Sequence, residues 1–344
     1  MLEFFSQYGL FLAKTVTWIA AILATAAGLV SIMREARQHH TGDHLQIRNL
    51  NQRYEQMADI LNAELLSGHE LKELGKKRKA ERKAREKAEK HGHPPRPRVF
   101  TLDFVGDLNA SAVDALREEI SAVLQVARKE DEVLVRLQSE GGLVHSYGLA
   151  ASQLQRIRQQ GYRLTAAVDK VAASGGYLMA CVADRILAAP FAIVGSIGVV
   201  AQLPNFNRLL KKHEIDFELH TAGEFKRTLT LFGENTEEGR AKFRQEIEDT
   251  HTLFKSFVAE NRRNLDLEKV ATGEHWFGAR ALSLKLVDEL KTSDDYLLER
   301  INQADVYEVI FKRRQSLADR MAHGLARLGS GLREAVSRAG SPPA

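Results

Sequence analysis

Ser174 is the residue around which chemistry is easiest to build. It is the only serine between Asp169 and Asp184 and the centre of Ala172-Ala173-Ser174-Gly175-Gly176. Upstream, the largely apolar run Arg163 to Val168 predicts a buried strand; downstream, Tyr177 to Val182 carries helix formers and no breaker. Ser174 therefore falls at a strand-to-helix turn. Its four small neighbours remove side-chain bulk, and the helix that follows points unpaired N–H groups at the turn. A hydroxyl so placed suits a nucleophile, although a Ser-Gly-Gly turn also serves as a plain helix cap.

A second turn, Gln138-Ser139-Glu140-Gly141-Gly142, follows the strand predicted over Glu132 to Leu137. Two glycine turns at one edge of a sheet let backbone N–H groups converge on a point, as an oxyanion requires. A serine nucleophile also needs a base, His or Lys. Of the twelve histidines, His145 is the best placed, three residues after Gly142; Lys226, in the turn Ala222 to Arg227, is the other candidate. A lysine accepts a proton only as the neutral amine, which calls for an apolar pocket and a hydroxyl to orient it. Ser196, between Gly195 and Ile197, is suitable in type. Spacing alone does not choose among these.

The elements that must position these groups alternate from Arg98 onward. Val99 to Phe104 reads as a strand, Ala110 to Ala127 as a helix, Glu132 to Leu137 as a strand, Leu143 to Gln159 as a helix and Arg163 to Val168 as a strand. This is an α/β pattern with parallel strands, right-handed crossovers and functional loops at the strands' carboxyl ends. Further on, Arg185 to Ala189 and Ile193 to Val200 read as buried strands, Asn205 to Lys212 as a helix and Phe217 to Thr221 as extended. Glu237 to Arg263 predicts a long amphipathic helix with Phe243, Ile247, Leu253, Phe254 and Phe257 on its apolar face.

Outside this body, Thr15 to Met33 holds no charge over 19 positions and predicts a membrane anchor. The rival, a signal peptide cleaved after Ala24-Thr25-Ala26, is opposed by Glu3 and the lack of Lys or Arg in the first 13 residues. Leu50, Tyr54, Met57, Leu61 and Leu65 predict an amphipathic helix from Ile47, and the charged run 72–90 a solvated helix or tether. Pro94, Pro95 and Pro97 mark a boundary. The expected organisation is an anchor over 1–33, a tether over 34–97, a catalytic body over 98–311 and a tail over 312–344. In that tail, Leu317, Met321, Leu325, Leu328, Leu332 and Val336 outline a basic amphipathic helix.

The formal charge of +4 is unevenly placed, since residues 34–98 hold 16 Lys and Arg against 10 Asp and Glu. A basic tether beside a near-neutral body argues against nucleic acid as a partner. The positive residues after the anchor would hold the body in the cytoplasm. The single cysteine, Cys181, rules out an intrachain disulfide and reads as a small buried residue.

Taken in order, Ala-Ser-Gly-Gly-Tyr at 173–177, Gly-Ser-Ile-Gly-Val at 195–199, Gly-Glu-Phe-Lys-Arg at 223–227 and Leu-Val-Asp at 286–288 resemble the signal peptide peptidase A family of serine proteases. The anchor, the run 189–202 and Thr-Gly-Glu-His-Trp at 272–276 resemble a bacterial inner-membrane branch of it. The resemblance implies a ClpP/crotonase-like fold of repeated β-β-α units and a Ser-Lys dyad. Ser174 would be the nucleophile, Lys226 the general base, Ser196 the hydroxyl that positions the lysine, and the amides at Gly142 and Gly175 the oxyanion hole. It implies peptide substrates, no metal or organic cofactor, ring-like homo-oligomers in which serine and lysine can come from neighbouring subunits, and a body on the periplasmic side.

Two positions depart from the family's pattern. Glu140 stands where Ser-Pro-Gly-Gly commonly has proline, which would loosen the turn and bring a carboxylate towards the oxyanion site. Lys285 stands where glycine often precedes Leu-Val-Asp, at a cost of about 1 kcal/mol if the helix ends there in a left-handed conformation. An acyl-CoA enzyme and a catalytically silent membrane scaffold are the rival functions.

Overall fold

The computed structural model describes residues 43–91 and 94–312, together with Lys14, Thr15 and Trp18. The anchor expected over 15–33, apart from Thr15 and Trp18, and the tail helix expected beyond Lys312 lie outside these residues. Among the described residues no helix is long and apolar enough to cross a membrane.

Leu45–Phe311 forms one compact unit. The elements in chain order begin with β1 (His44–Asn49), α1 (Leu50–Leu65) and α2 (Gly68–Lys90), and continue through β2 (Arg98–Val105), α3 (Val113–Val126), β3 (Glu132–Gln138), α4 (Val144–Gln159) and β4 (Arg163–Val168). Then come β5 (Val171–Ala173), α5 (Gly175–Ala180), β6 (Arg185–Ala188), β7 (Ile193–Gly195), α6 (Asn207–Lys212), α7 (Glu237–Asn261) and α8 (Leu267–Val270). Last come β8 (His275–Phe277), α9 (Gly278–Ser283), β9 (Glu289–Leu290), α10 (Ser293–Gln303) and β10 (Asp305–Lys312).

Seven strands form a sheet in the order β1-β10-β2-β3-β4-β6-β9. Its ladders from β10 to β9 are parallel, with Val306 opposite Val99, Leu102 opposite Val135, Val135 opposite Ala166 and Ala166 opposite Ile186. Side chains alternate along each strand, so the sheet feeds two cores. Leu102, Phe104, Val135, Ala166 and Ile186 pack with Leu116 and Ile120 of α3 and Ala150 and Leu154 of α4. The alternate residues Val99, Leu134, Ala167 and Leu187 pack with Leu50, Tyr296, Leu297 and Val306. Apolar burial on both faces is why these strands read as near-continuous hydrophobic runs.

The alternation of strand and helix agrees with the sequence expectation, with differences of detail: the strand expected over Ile193 to Val200 stops at Gly195. His44–Asn49 is a strand of the main sheet rather than the start of a helix, and α1 begins only at Leu50, where the Asn49 side chain caps it by accepting from the Gln52 amide. Phe217 to Thr221 belongs to no strand. The chain also leaves the main sheet after Val168, where the Asp169 carboxylate accepts from the Ser293 amide and hydroxyl. It then builds a second sheet: β5 pairs parallel with β7, and β7 antiparallel with β8. Ser174 thus follows β5 of the small sheet, not β4 directly. Lys285 has φ 63°, the left-handed end expected after α9.

Burial also creates one titrating group outside the site. Glu119 on α3 is 5% exposed, and one of its oxygens accepts from the Phe311 amide at 2.8 Å. Burial, helped by the Asp103 charge and opposed by the Phe311 amide, pushes its pKa up from 4.5 to about 7. The folded protein then holds a proton that the unfolded chain releases, so this stabilisation is full below the unfolded value and is lost as pH rises through about 7. Urea unfolding followed from about pH 5 to about pH 8 should show wild-type stability falling across that window, and Glu119→Gln should flatten the fall.

Candidate active site

Three backbone segments build the site. The first is the turn after β3. The second is the β5–α5 junction at Ser174, and the third is the end of β7 at Gly195 and Ser196. β5 and β7 run parallel with Ala173 opposite Gly195, so Ser174 and Ser196 emerge side by side from the small sheet. The Ser174 amide donates to the Gly195 carbonyl at 2.8 Å, and the Ser196 amide to the Glu274 carbonyl at 2.7 Å. Both serines have positive φ, 50° and 54°. For non-glycine residues that conformation stores on the order of 1–3 kcal/mol each and persists only where surrounding contacts impose it. Ser174 precedes α5 but makes no side-chain capping bond, so the plain-cap reading does not apply to it.

Glycines bring the first two segments together. A methyl on Gly141 would lie 2.7 Å from both the Gly175 nitrogen and Ser174 Cβ, one on Gly175 2.4 Å from the Tyr147 ring, and one on Gly176 2.5 Å from the Ser139 carbonyl oxygen. Gly141 also has φ +93°, open to glycine and strained for other residues. A relay of hydrogen bonds fixes the first turn. Gly141 N–H donates to Ser139 Oγ at 3.0 Å, Ser139 Oγ lies 2.5 Å from Tyr147 Oη, and Tyr147 Oη donates to the Asp107 carbonyl at 2.7 Å. The turn is therefore tight without a proline at position 140.

Ser174, Gly142 and Gly175 line one cavity of about 400 Å3. Among the described residues the amides of Gly142 and Gly175 and the Ser174 hydroxyl have no hydrogen-bond partner. The walls are apolar: Leu178 from α5, Val199 and Val200 after β7, and Leu253, Phe254 and Phe257 from α7. His145 also lines the cavity, and it is exposed. The apolar face of α7 was visible in the sequence, but its place against the nucleophile was not. Tyr147 and Ser139 were missed as supports, since neither carries a motif of its own.

Lys226 does not share this cavity. It lies with Gly223 and Phe225 on an exposed excursion between β7 and α7, where its amide donates to the Gly223 carbonyl at 3.1 Å. Ser196 is half-buried beside Ser174's segment without lining the cavity. Glu140 lines a different cavity, which it shares with Gly141 and not with Gly142, Gly175 or Ser174.

Residues 3–154 match the N-terminal part of peptidase family S49, and residues 156–307 match peptidase family S49 itself. A probable protease SohB of Haemophilus influenzae is 51% identical over 326 residues, covering 92% of this chain and 91% of that protein. A probable protease SohB of Buchnera aphidicola is 47% identical over 307 residues, covering 87% of this chain and 100% of that one. Among solved structures, a mutant membrane-bound stomatin-specific protease in complex with a substrate peptide aligns with a TM-score of 0.42 at 12% identity, covering 67% of this chain and 98% of that one. With both parts of the family matched across the chain and relatives about 50% identical over most of its length, the chain belongs to peptidase family S49.

Proposed function

We propose that the chain is a membrane-anchored serine endopeptidase with a ClpP/crotonase-like fold, which hydrolyses short, unfolded, apolar peptides such as signal-peptide remnants. The observation that carries the reading is the meeting of a strained, uncapped Ser174 with two unpaired amides in an apolar cavity. Ser174 Oγ attacks the peptide carbonyl, and the Gly142 and Gly175 amides receive the oxyanion. Lys226 takes the serine proton and passes it to the leaving amine; water then attacks the acyl-enzyme, and Ser174 recovers its proton through the same lysine.

Lys226 reaches Ser174 from a neighbouring subunit of a ring. Two features support this. The lysine lies outside its own chain's Ser174 cavity, and the excursion that carries it exposes Leu209, Ile215, Phe217 and Phe225. Docked on a neighbour, that excursion would bury apolar area and supply the dry surroundings a neutral amine needs, with Ser196 to orient it. Residues 15–33 anchor the assembly in the bacterial inner membrane.

Ser174→Ala and Lys226→Ala should each abolish peptide cleavage, and Ser174→Ala should abolish labelling by a fluorophosphonate. Unfolded together and co-refolded in equal amounts, the two inactive chains should regain about one quarter of wild-type activity, because that share of random neighbours pairs an intact serine with an intact lysine. No recovery would place the dyad within one chain, and full activity of Lys226→Ala alone would remove lysine from the mechanism. Gly141→Ala, which pushes against the Gly175 nitrogen, should lower kcat by about 10²-fold through the displaced oxyanion hole, measured on an apolar fluorogenic peptide.

A further inference from the structure

The turn that holds Gly142 at the Ser174 cavity has a second cavity behind it. This one measures about 280 Å3, and Val105, Asp107, Leu108, Gln138, Glu140 and Gly141 are among the residues that line it. Its two carboxylates differ. Asp107 is committed to its own loop, accepting from the Asn109 amide at 3.1 Å, the Ser111 amide at 2.9 Å and the Ser111 hydroxyl at 2.7 Å. Glu140 is exposed, and among the described residues its carboxylate has no hydrogen bond or ion pair. Beside it stand aliphatic side chains that are themselves open to solvent, Val105 at 64% and Leu108 at 65% exposure. One uncommitted negative charge beside an aliphatic lining matches a side chain with an apolar stem and a cationic tip, lysine or arginine.

This cavity is one residue from the reaction centre. Gly141 forms part of its wall, yet a methyl on Gly141 would lie 2.7 Å from Ser174 Cβ, and the next residue, Gly142, already lines the apolar cavity. A peptide that has its scissile carbonyl over the Gly142 and Gly175 amides and runs across this turn passes Glu140. In extended form it advances about 3.4 Å per residue, so a side chain one to three positions away reaches Glu140 while residues across the bond face the apolar walls.

Resting on the serine-peptidase reading above, we propose that Glu140 is a specificity-determining residue. It selects peptides with Lys or Arg within about three residues of the cleaved bond, on the side away from the apolar cavity. The substrate class is then a peptide in which a basic residue adjoins an apolar stretch.

The test measures kcat/KM of the full-length, detergent-solubilised protein on an apolar fluorogenic peptide and on variants with Lys, Leu or Glu placed singly at each position flanking the cleaved bond. Wild type should prefer Lys over Glu about tenfold at one position, the scale of one charge-assisted contact in a partly wet site. Glu140→Gln should bring that ratio near unity, Glu140→Asp should retain it and Glu140→Lys should reverse it. A wild type indifferent to charge at every position overturns the proposal, as does a ratio that is the same in wild type and Glu140→Gln. If Glu140→Lys does not fold, the Gln and Asp variants alone decide. Cleavage of the parent apolar peptide that survives Ser174→Ala would instead sink the serine reading, an outcome separate from any result at Glu140.

Discussion

Two backbone turns lie against each other with no room for a Cβ between them, and the rest of the site depends on that contact. Gly141 meets Gly175 and Ser174, and Gly176 meets the Ser139 carbonyl. The approach brings two amides and a hydroxyl into one small volume without a side chain in the way. It also explains the strain at Ser174. A residue held by a hydrogen bond from its amide to Gly195 on one side and by the Gly141 turn on the other cannot relax to negative φ without breaking one of them. Tyr147 closes the arrangement from below, since its ring fills the place a Gly175 side chain would take and its hydroxyl joins Ser139 to the Asp107 carbonyl.

The opposite physical situation holds for the excursion between β7 and α7. Asn205 and Asn207 bind the carbonyls of Thr230, Gly233 and Phe232, and Phe232 lies against Phe206 and Phe217, so the segment has a local order of its own. Yet it leaves large apolar side chains exposed around Lys226. A patch of that kind on a folded segment marks an interaction surface. The division of labour is clear in these terms: nucleophile and amides sit on turns packed tightly against each other, and the proposed base sits on the part of the chain that a neighbour would have to cover.

Legibility in the sequence followed the same division. Strands buried on both faces, such as Glu132–Gln138 and Arg163–Val168, announce themselves as apolar runs, and the glycines at 141, 142, 175 and 176 announce turns. What could not be read were features that exist only once distant segments pair. The three-residue strands β5 and β7 have too little pattern to be separated from the runs around them, and β7 stops at Gly195 because both Gly195 and Ser196 take positive φ, which no periodicity reports. Tyr147 looked like one more residue of a helix. The early strand at His44–Asn49 was hidden because it is short, leaves its apolar residues Leu45 and Ile47 exposed, and pairs with β10, some 260 positions away in the chain.

Position 140 shows how a support can move and release a residue for another use. A proline there would stiffen the turn through its fixed φ. In this chain the stiffness comes instead from the relay through Ser139 and Tyr147, every member of which lies outside position 140. The side chain at 140 is then under no obligation to the turn. Glutamate is accommodated there as an exposed residue, lining a cavity that includes neither Gly142 nor Gly175 nor Ser174. Among the described residues that line its cavity there is no Lys, Arg or His to meet the charge, which leaves the substrate as the natural source of a cation.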